Sequence, residues 1–586
     1  MINVVTKSGG NRLHGDIYDY LRNGALDANN YFNNLNHNKR PNSHRNQFGV
    51  AVGGPVYIPG VYKQTDKTFF FFNFEGHRDH NAAQYAGTVP IPAFRAGDFS
   101  SVLGSQAATC GALSNQPCFD ILGRPILTGA LYDPYTTRAL TAGQMDPVTH
   151  LTATSTGNVR ERIAGNNVAN ATHGINTIGQ TLVNYYPASL TNALSNNWSA
   201  SGLEADFSNE YSGRVDHNFN DSTRIYGRFS YKKEYKDEEA FFFGANDPAG
   251  PGQTNPNNRW NIAVGLSKVF SPTFTMSVNA GGLKWVEGND VQSHGFKASS
   301  LGLPSFIDTF SPQFPIIAAN NYLSEGPLAG AGQGAFPRAA SSGSVDFVKV
   351  WGAHQLSFGY MGIATDENGG RFHFTPFNFN NLFTAGLDNA GLNVTGTGDS
   401  IASMLLGLPA SGNTGVAISN ISRTWFHGVY LQDDWKATQK LTLNLGIRWE
   451  VQLSPTDRFN RQARFDYGAT NPISSAVGGS YTGQLVFASK SDRGLFTTNR
   501  KNFAPRIGFA YQPLPKLVLR GGYGVFYPAS YRGTGPSPGF SSDRRRAWNR
   551  HRGSSELRRN CRVRGQVCFR TRESQDVIEP IIRRSP

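Results

Sequence analysis

The chain has 586 residues, of which 39% are hydrophobic, 12% aromatic and 16% charged, with 65 Gly and four Cys. A mean hydropathy of -0.39 and the lack of any run of 18 apolar residues exclude a bundle of transmembrane helices, and four Cys are too few for a disulfide scaffold. The net charge of +14 is uneven: residues 541–586 hold thirteen Arg against five acidic residues, a net of +8, which leaves +6 for residues 1–540 and says little about that body's partners.

Met1-Ile2-Asn3-Val4 lacks the basic and apolar regions of a signal peptide, so an exported protein would have its true start upstream. Residues 1–10 read as the end of a preceding domain, and residues 11–540 as a succession of strands. The first is 11–22, the second 46–58 and the third 67–79. The fourth and fifth, 209–219 and 223–236, flank Asn220-Asp221-Ser222. The sixth and seventh, 260–270 and 273–286, flank Ser271-Pro272, and the eighth and ninth, 343–350 and 355–365, flank 351–354. The tenth and eleventh form a hairpin over 423–451, and the twelfth and thirteenth are 502–512 and 516–527. In the eleventh, Leu441, Leu443, Leu445, Ile447, Trp449 and Val451 alternate with Lys440, Thr442, Asn444, Gly446, Arg448 and Glu450. A period of two puts these sets on opposite faces of a sheet. Trp425 and Trp449 fall at one end of the hairpin and Trp435 at the other, a placement that suggests two aromatic girdles.

Short and long connections alternate strictly. The joints at 59–66, 220–222, 271–272, 351–354, 436–439 and 513–515 are short. Those at 23–45, 80–208, 237–259, 287–342, 366–422 and 453–501 are long. A Greek-key sandwich has no reason to keep that parity, whereas an outer-membrane barrel has short periplasmic turns and long extracellular loops. The expected fold is therefore all-β, an antiparallel transmembrane β-barrel. Thirteen strands leave an outward strand unpaired, and an open edge in lipid leaves backbone groups unsatisfied, so further strands are expected. The segment 541–586 abandons alternation. It reads as a frameshifted or disordered Arg-rich end, with a nucleic-acid arm as the alternative.

Several blocks carry a family resemblance. INVVTKSGGNRLHGDIYDYLRN (2–23), NQFGVAVGGPV (46–56), KTFFFFNFEGHRD (67–79), GDSIASMLLGLP (398–409), VYLQDDWKATQKLTLNLGIRWE (429–450) and NFAPRIGFAYQP (502–513) occur in this order. Together they resemble the Oar-like group of TonB-dependent outer-membrane transporters. The resemblance implies a 22-stranded barrel preceded by a signal, a β-sandwich domain and a plug, so the chain reads as a fragment with a plug remnant at 1–10. It also implies energy-coupled transport across the Gram-negative outer membrane. The partners would be outer-membrane lipid and, for the full-length parent, the TonB complex. A monomer without nucleic acid is expected. The alternative is a surface-exposed or secreted β-rich binding or adhesion protein.

The sequence has no G-x-S-x-G, Walker A, H-E-x-x-H or paired C-x-x-C pattern, so neither an enzyme nor a bound cofactor or metal is expected. His77 to His80 could offer two metal ligands, although a polar strand end entering a loop explains them more simply. Asp366-Glu367-Asn368 reads as a solvated loop tip. Cys110 and Cys118 are spaced for a small disulfide in an oxidising exterior. Arg214, Arg224, Arg228, Arg448 and Arg520 fall on polar faces. There they would attract anionic substrates or pair with a plug, or simply hydrate a wet interior. Lys268 reads as the one charge on an apolar face, near the turn at Ser271, where a charge is tolerated at roughly 0–1 kcal/mol. Phe69 to Phe72 break the alternation, so one face there must bury rings against a plug or a loop.

Overall fold

Alternation and turn chemistry produce one long antiparallel sheet. In a computed structural model the described residues are 6–527, except for stretches within 30–42 and for 63–65, 111–115, 239–247, 251, 328–331, 372–373 and 416–419. Beyond 527, only the short strands Asp543–Arg545, Phe569–Arg570 and Glu579–Pro580 are described. Most of the Arg-rich segment, with Cys561 and Cys568, therefore lies outside the described residues.

Thirteen strands follow one another in the sheet in strict chain order. They are β1 (His14–Asn23), β2 (His44–Pro55), β3 (Thr68–Gly87), β4 (Trp198–Asn220) and β5 (Thr223–Glu238). Next come β6 (Gln253–Ser271), β7 (Phe274–Val291), β8 (Gly334–Trp351) and β9 (His354–Arg371). The last are β10 (Asn420–Trp435), β11 (Leu441–Gln452), β12 (Asn502–Leu514) and β13 (Leu517–Gly524). A fourteenth piece, Thr456–Asp457, pairs with β10. Among the described residues, β1 and β13 are each paired on one side only.

All thirteen expected strands are present, but several run farther toward the long connections. β4 begins at Trp198 instead of 209, and β8 at Gly334 instead of 343. Backbone pairing continues where the apolar alternation has faded, because a ladder outside lipid needs no apolar face. Asp366-Glu367-Asn368 consequently lies within β9, not at a loop tip, and Asp366 pairs with Arg423 at 2.6 Å. His77 and His80 likewise lie inside β3. Alternation puts them on opposite faces, so they cannot share one ion. His80 stacks on His44, with ring centroids 4.5 Å apart.

The apolar face is exposed. Ile262, Val429, Leu431, Ile447, Ile507 and Phe509 are 44–54% accessible. Two aromatic ladders bound this face. One runs Phe48, Phe74, Tyr211, Tyr231 and Trp260, with successive centroids 6.0, 4.9, 6.5 and 5.3 Å apart. The other runs Phe270, Phe274, Phe347 and Phe358 beside the short turns, at 5.0, 6.0 and 5.1 Å. Trp260 and Phe270 share β6 and are ten residues apart. At about 3.3 Å per residue and a tilt of about 40°, that is roughly 25 Å across, the height of an outer-membrane apolar band. Trp435 lies at the same turn-side end, stacked on His354. Trp425 sits at the other end, stacked on His427.

The long connections are not structureless. Those after β3, β5, β7 and β9 interlock around one buried core that includes Phe94, Phe99, Leu182, Phe314, Ile317 and Met404. Two helices meet there, α1 (Thr177–Tyr185) and α2 (Ser400–Leu405). Gly179 lets them touch, since a Cβ on it would lie 2.0 Å from Met404 O.

Candidate functional site: the inner wall and the loop cap

The polar face carries the charges that alternation assigns to it. On β4, Arg214 donates from Nε and Nη2 to the Asp216 carboxylate at 2.8 and 2.7 Å, and from Nη1 to Thr6 Oγ1 at 2.9 Å. Its guanidinium lies 4.4 Å from the centroid of the Tyr226 ring. The segment before β1 thus rests on the polar face. Gly9 continues the contact: a Cβ there would lie 2.2 Å from Phe70 O, so only glycine allows this approach. Phe69 and Phe71 point to this same side and are partly covered, while Phe72 points outward and is 39% exposed.

The cross-strand register sets Arg214 opposite Arg228. Among the described residues, no ion-pair partner faces Arg228. Arg224, near the turn, donates to Asn218 Oδ1 at 2.8 Å. Arg448 pairs with Glu450 at 2.5 Å on β11. Arg520 is exposed on β13 opposite Ala510. The structure therefore groups Arg214, Arg224 and Arg228 on one stretch of wall and places Arg448 and Arg520 on another.

Three tyrosines of this face reach across glycines. Tyr18 lies over Gly49 and donates to Glu75 Oε2 at 2.7 Å. Tyr430 lies over Gly359 and donates to Asp346 Oδ1 at 2.8 Å, and Tyr226 lies over Gly265. A Cβ on Gly49 would come within 2.5 Å of the Tyr18 hydroxyl. These bridges tie strands two apart. The only sequence signal for them is a glycine at a polar-face position opposite a tyrosine. Farther out, Glu234 gathers Lys232 at 3.6 Å and Arg259 at 3.5 Å. Trp285 Nε1 donates to Asn257 Oδ1 at 2.6 Å, and the guanidiniums of Arg259 and Arg338 lie 5.4 and 5.1 Å from its ring. The lining of this wall is polar and largely charge-paired.

The loop cap is organised by buried polar groups as well as by its apolar core. Arg160, 5% exposed, donates from Nη1 to the carbonyls of Leu382, Phe383 and Ala385, which joins two connections. Asp399 caps α2 by accepting from the amides of Ile401 and Ala402 at 2.7 and 3.3 Å, and from the Tyr322 hydroxyl at 3.2 Å. Burial pushes the Asp399 carboxyl above its usual range, against the pull of these donors. Asp146 is held far below that range by hydrogen bonds from Arg138. Burial pushes the Tyr132 phenol up to about 12. Cys110 and Cys118 are joined in a disulfide, with Cα atoms 4.8 Å apart. Asp388 lies beside them, but its carboxylate accepts from the amides of Ala390 and Leu392 at 2.9 and 2.8 Å, and the bonded sulfurs are not metal ligands.

Comparison with known proteins agrees with this architecture. The family model for the outer membrane beta barrel domain matches residues 5–550. No curated protein sequence matches. Among solved structures, the chain is similar to the outer membrane transporter YddB from Escherichia coli, with 8% identity, TM-score 0.34, and 82% of this chain and 46% of that one covered. It is also similar to a mutant ferric enterobactin receptor PfeA from Pseudomonas aeruginosa, with 10% identity, TM-score 0.32, and coverage of 89% and 54%. A third is the siderophore receptor PiuA from Acinetobacter baumannii, with 9% identity, TM-score 0.20, and coverage of 88% and 72%. The chain spans about half the length of the first two. The chain belongs to the outer membrane beta barrel domain family and is located in the Gram-negative outer membrane.

Proposed function

We propose that this barrel is the conducting wall of an Oar-like TonB-dependent transporter, which passes a large or scarce substrate through a plugged lumen with energy from the inner membrane. One observation carries the reading: the segment before β1 rests on the inner wall, held by Arg214 at Thr6 and by the close approach at Gly9. That is where the end of a plug belongs. In this reading residues 1–10 are the end of the plug, the Arg214–Arg228 wall faces substrate and plug, and the partners are lipid and the TonB complex. The protein acts as a monomer, without nucleic acid, cofactor or catalytic residue. The test is uptake in cells carrying the full-length gene. Removing TonB should abolish the uptake that depends on this gene, and uptake that persists without TonB would contradict the proposal.

A second reading is a surface-binding protein that works through its loops. It is favoured by the loop cap, whose interlocked connections share one core and present a fixed outer surface. Binding of cells or matrix that survives loss of TonB would favour this alternative.

A further inference from the structure

Lys268 is not the only charge on the apolar face. It lies near the turns, where Nζ donates to Ser222 Oγ at 3.0 Å and Thr223 Oγ1 at 2.7 Å. At the opposite margin stand Arg78 on β3, Lys233 on β5 and Lys284 on β7. The register fixes their side. Arg78 pairs with Phe207, Lys233 with Asn209, and Lys284 with Trp260, all on the face that carries Tyr211, Tyr231 and Ile262. Each is ten residues beyond the first residue of its strand, Thr68, Thr223 and Phe274 respectively. The three cations therefore stand at one height. Arg78 lies four residues beyond Phe74 and Lys233 two beyond Tyr231, while Lys284 stands directly opposite Trp260, so the cations follow the outer edge of this aromatic ladder.

The spacing is regular. β3 and β5 are separated by β4, and β5 and β7 by β6. Two strand spacings of about 4.8 Å place neighbouring cations about 10 Å apart along the rim. The side chains are supported on aromatic surface. The Arg78 guanidinium lies 5.6 and 5.8 Å from the Phe48 and Phe207 rings, and Lys284 Nζ lies 5.6 Å from the Trp260 ring. Arg78 also donates to Ser208 O at 2.8 Å and Asn209 Oδ1 at 2.7 Å, which fixes its direction. Lys233 and Lys284 are exposed.

Their charges differ from those inside. On the inner wall at similar height, Arg45 pairs with Asp79, Arg259 with Glu234 and Lys236 with Glu204. Among the described residues, no carboxylate pairs with Arg78, Lys233 or Lys284. Three cations with no carboxylate partner among the described residues, along the outer edge of an aromatic girdle, face the layer where lipid headgroups lie. Phosphate is the anion of that layer, and Arg and Lys both bind it.

We propose that Arg78, Lys233 and Lys284 form a docking rim for the phosphorylated headgroups of outer-leaflet lipid. The rim would fix the depth and orientation of this side of the barrel wall and retain lipid through detergent extraction. The test uses the full chain, folded in detergent and titrated with diphosphoryl lipid A or with the same lipid after phosphate removal, followed by protein-retained lipid. The expected result is retention of the diphosphoryl form only, reduced at least fivefold in a Lys233→Gln/Lys284→Gln double variant and in Arg78→Gln. Lys232→Gln, on the opposite face, should retain lipid as the unchanged protein does. Heat-modifiable gel migration identifies folded samples, and Lys284→Arg provides a variant that keeps the charge and should keep the lipid. Equal retention of the dephosphorylated lipid, or equal retention by folded rim variants, would overturn the proposal. So would complete displacement by millimolar inorganic phosphate, which would indicate a site for free phosphate.

Discussion

Arg214 donates a hydrogen bond to Thr6 across 208 residues of sequence, inside the wall of the sheet. The same guanidinium is held by Asp216 and covered by Tyr226, so the wall presents it ready-made. Replacing Arg214 with Gln leaves Asp216 without its cation and Thr6 without its donor. Loss of one partner of such a part-buried pair costs about 1–3 kcal/mol. The segment should lift from the wall, and trypsin should cut at Lys7 about tenfold faster or more. N-terminal mass analysis after brief digestion checks this.

Tyr18 bridges to Glu75 only because Gly49 lacks a side chain. Gly49→Ala should destabilise the sheet by about 1–3 kcal/mol, through overpacking and the lost hydrogen bond. Tyr18→Phe removes only the hydroxyl and should cost about 1 kcal/mol. The double variant Gly49→Ala/Tyr18→Ala should recover part of the loss. Urea midpoints of the barrel in detergent, followed by β-sheet circular dichroism, give the comparison.

The cap and the wall should separate energetically. Ile401 and Leu405 are fully buried in the cap core. Leu405→Ala should weaken the cap by about 2–5 kcal/mol. The expected sign is rapid proteolysis within residues 88–197 and 292–333, with the strand signal unchanged. Equal loss of both signals would show that cap and wall unfold together.

Asp399 gives the cap a dependence on pH. Its folded carboxyl is raised by burial, so its contribution is fully present below the ordinary carboxylate range and is lost as pH rises through the raised value. Asp146 has the opposite sign: its contribution is present above the ordinary range and is lost only in strong acid. Asp399→Asn keeps a capping oxygen and removes the titration. Amide exchange at Ile401 and Ala402 should therefore accelerate, as pH rises above the ordinary carboxylate range, more in the unchanged protein than in the variant, after correction for intrinsic exchange.

How much of this was legible depends on the solvent each residue meets. Lipid enforces alternation, so Leu441 to Val451 declared both strand and face, and all thirteen strands could be placed. Outside lipid the enforcement ends. The outward halves of β4 and β8 therefore carry no periodic signal, although their backbones pair. The cap was invisible for another reason. Its core joins Phe99, Phe314 and Met404 from three distant connections, and no local pattern marks such contacts. The arginine positions on the polar face followed from parity, but not all of their partners did. Asp216, two residues along the same strand, was within reach of parity, but Thr6 lies outside any strand and could be joined to Arg214 only in the folded chain.

The most direct measurement is spin-label accessibility along β11, with single labels at Leu445, Gly446, Ile447 and Arg448 in a background lacking Cys561 and Cys568. For a membrane-spanning wall, Leu445 and Ile447 should be accessible to oxygen dissolved in lipid. Gly446 and Arg448 should be accessible to a water-soluble nickel reagent, giving a period of two. Nickel access at all four positions, or no alternation, would contradict a sheet whose apolar face lies in lipid.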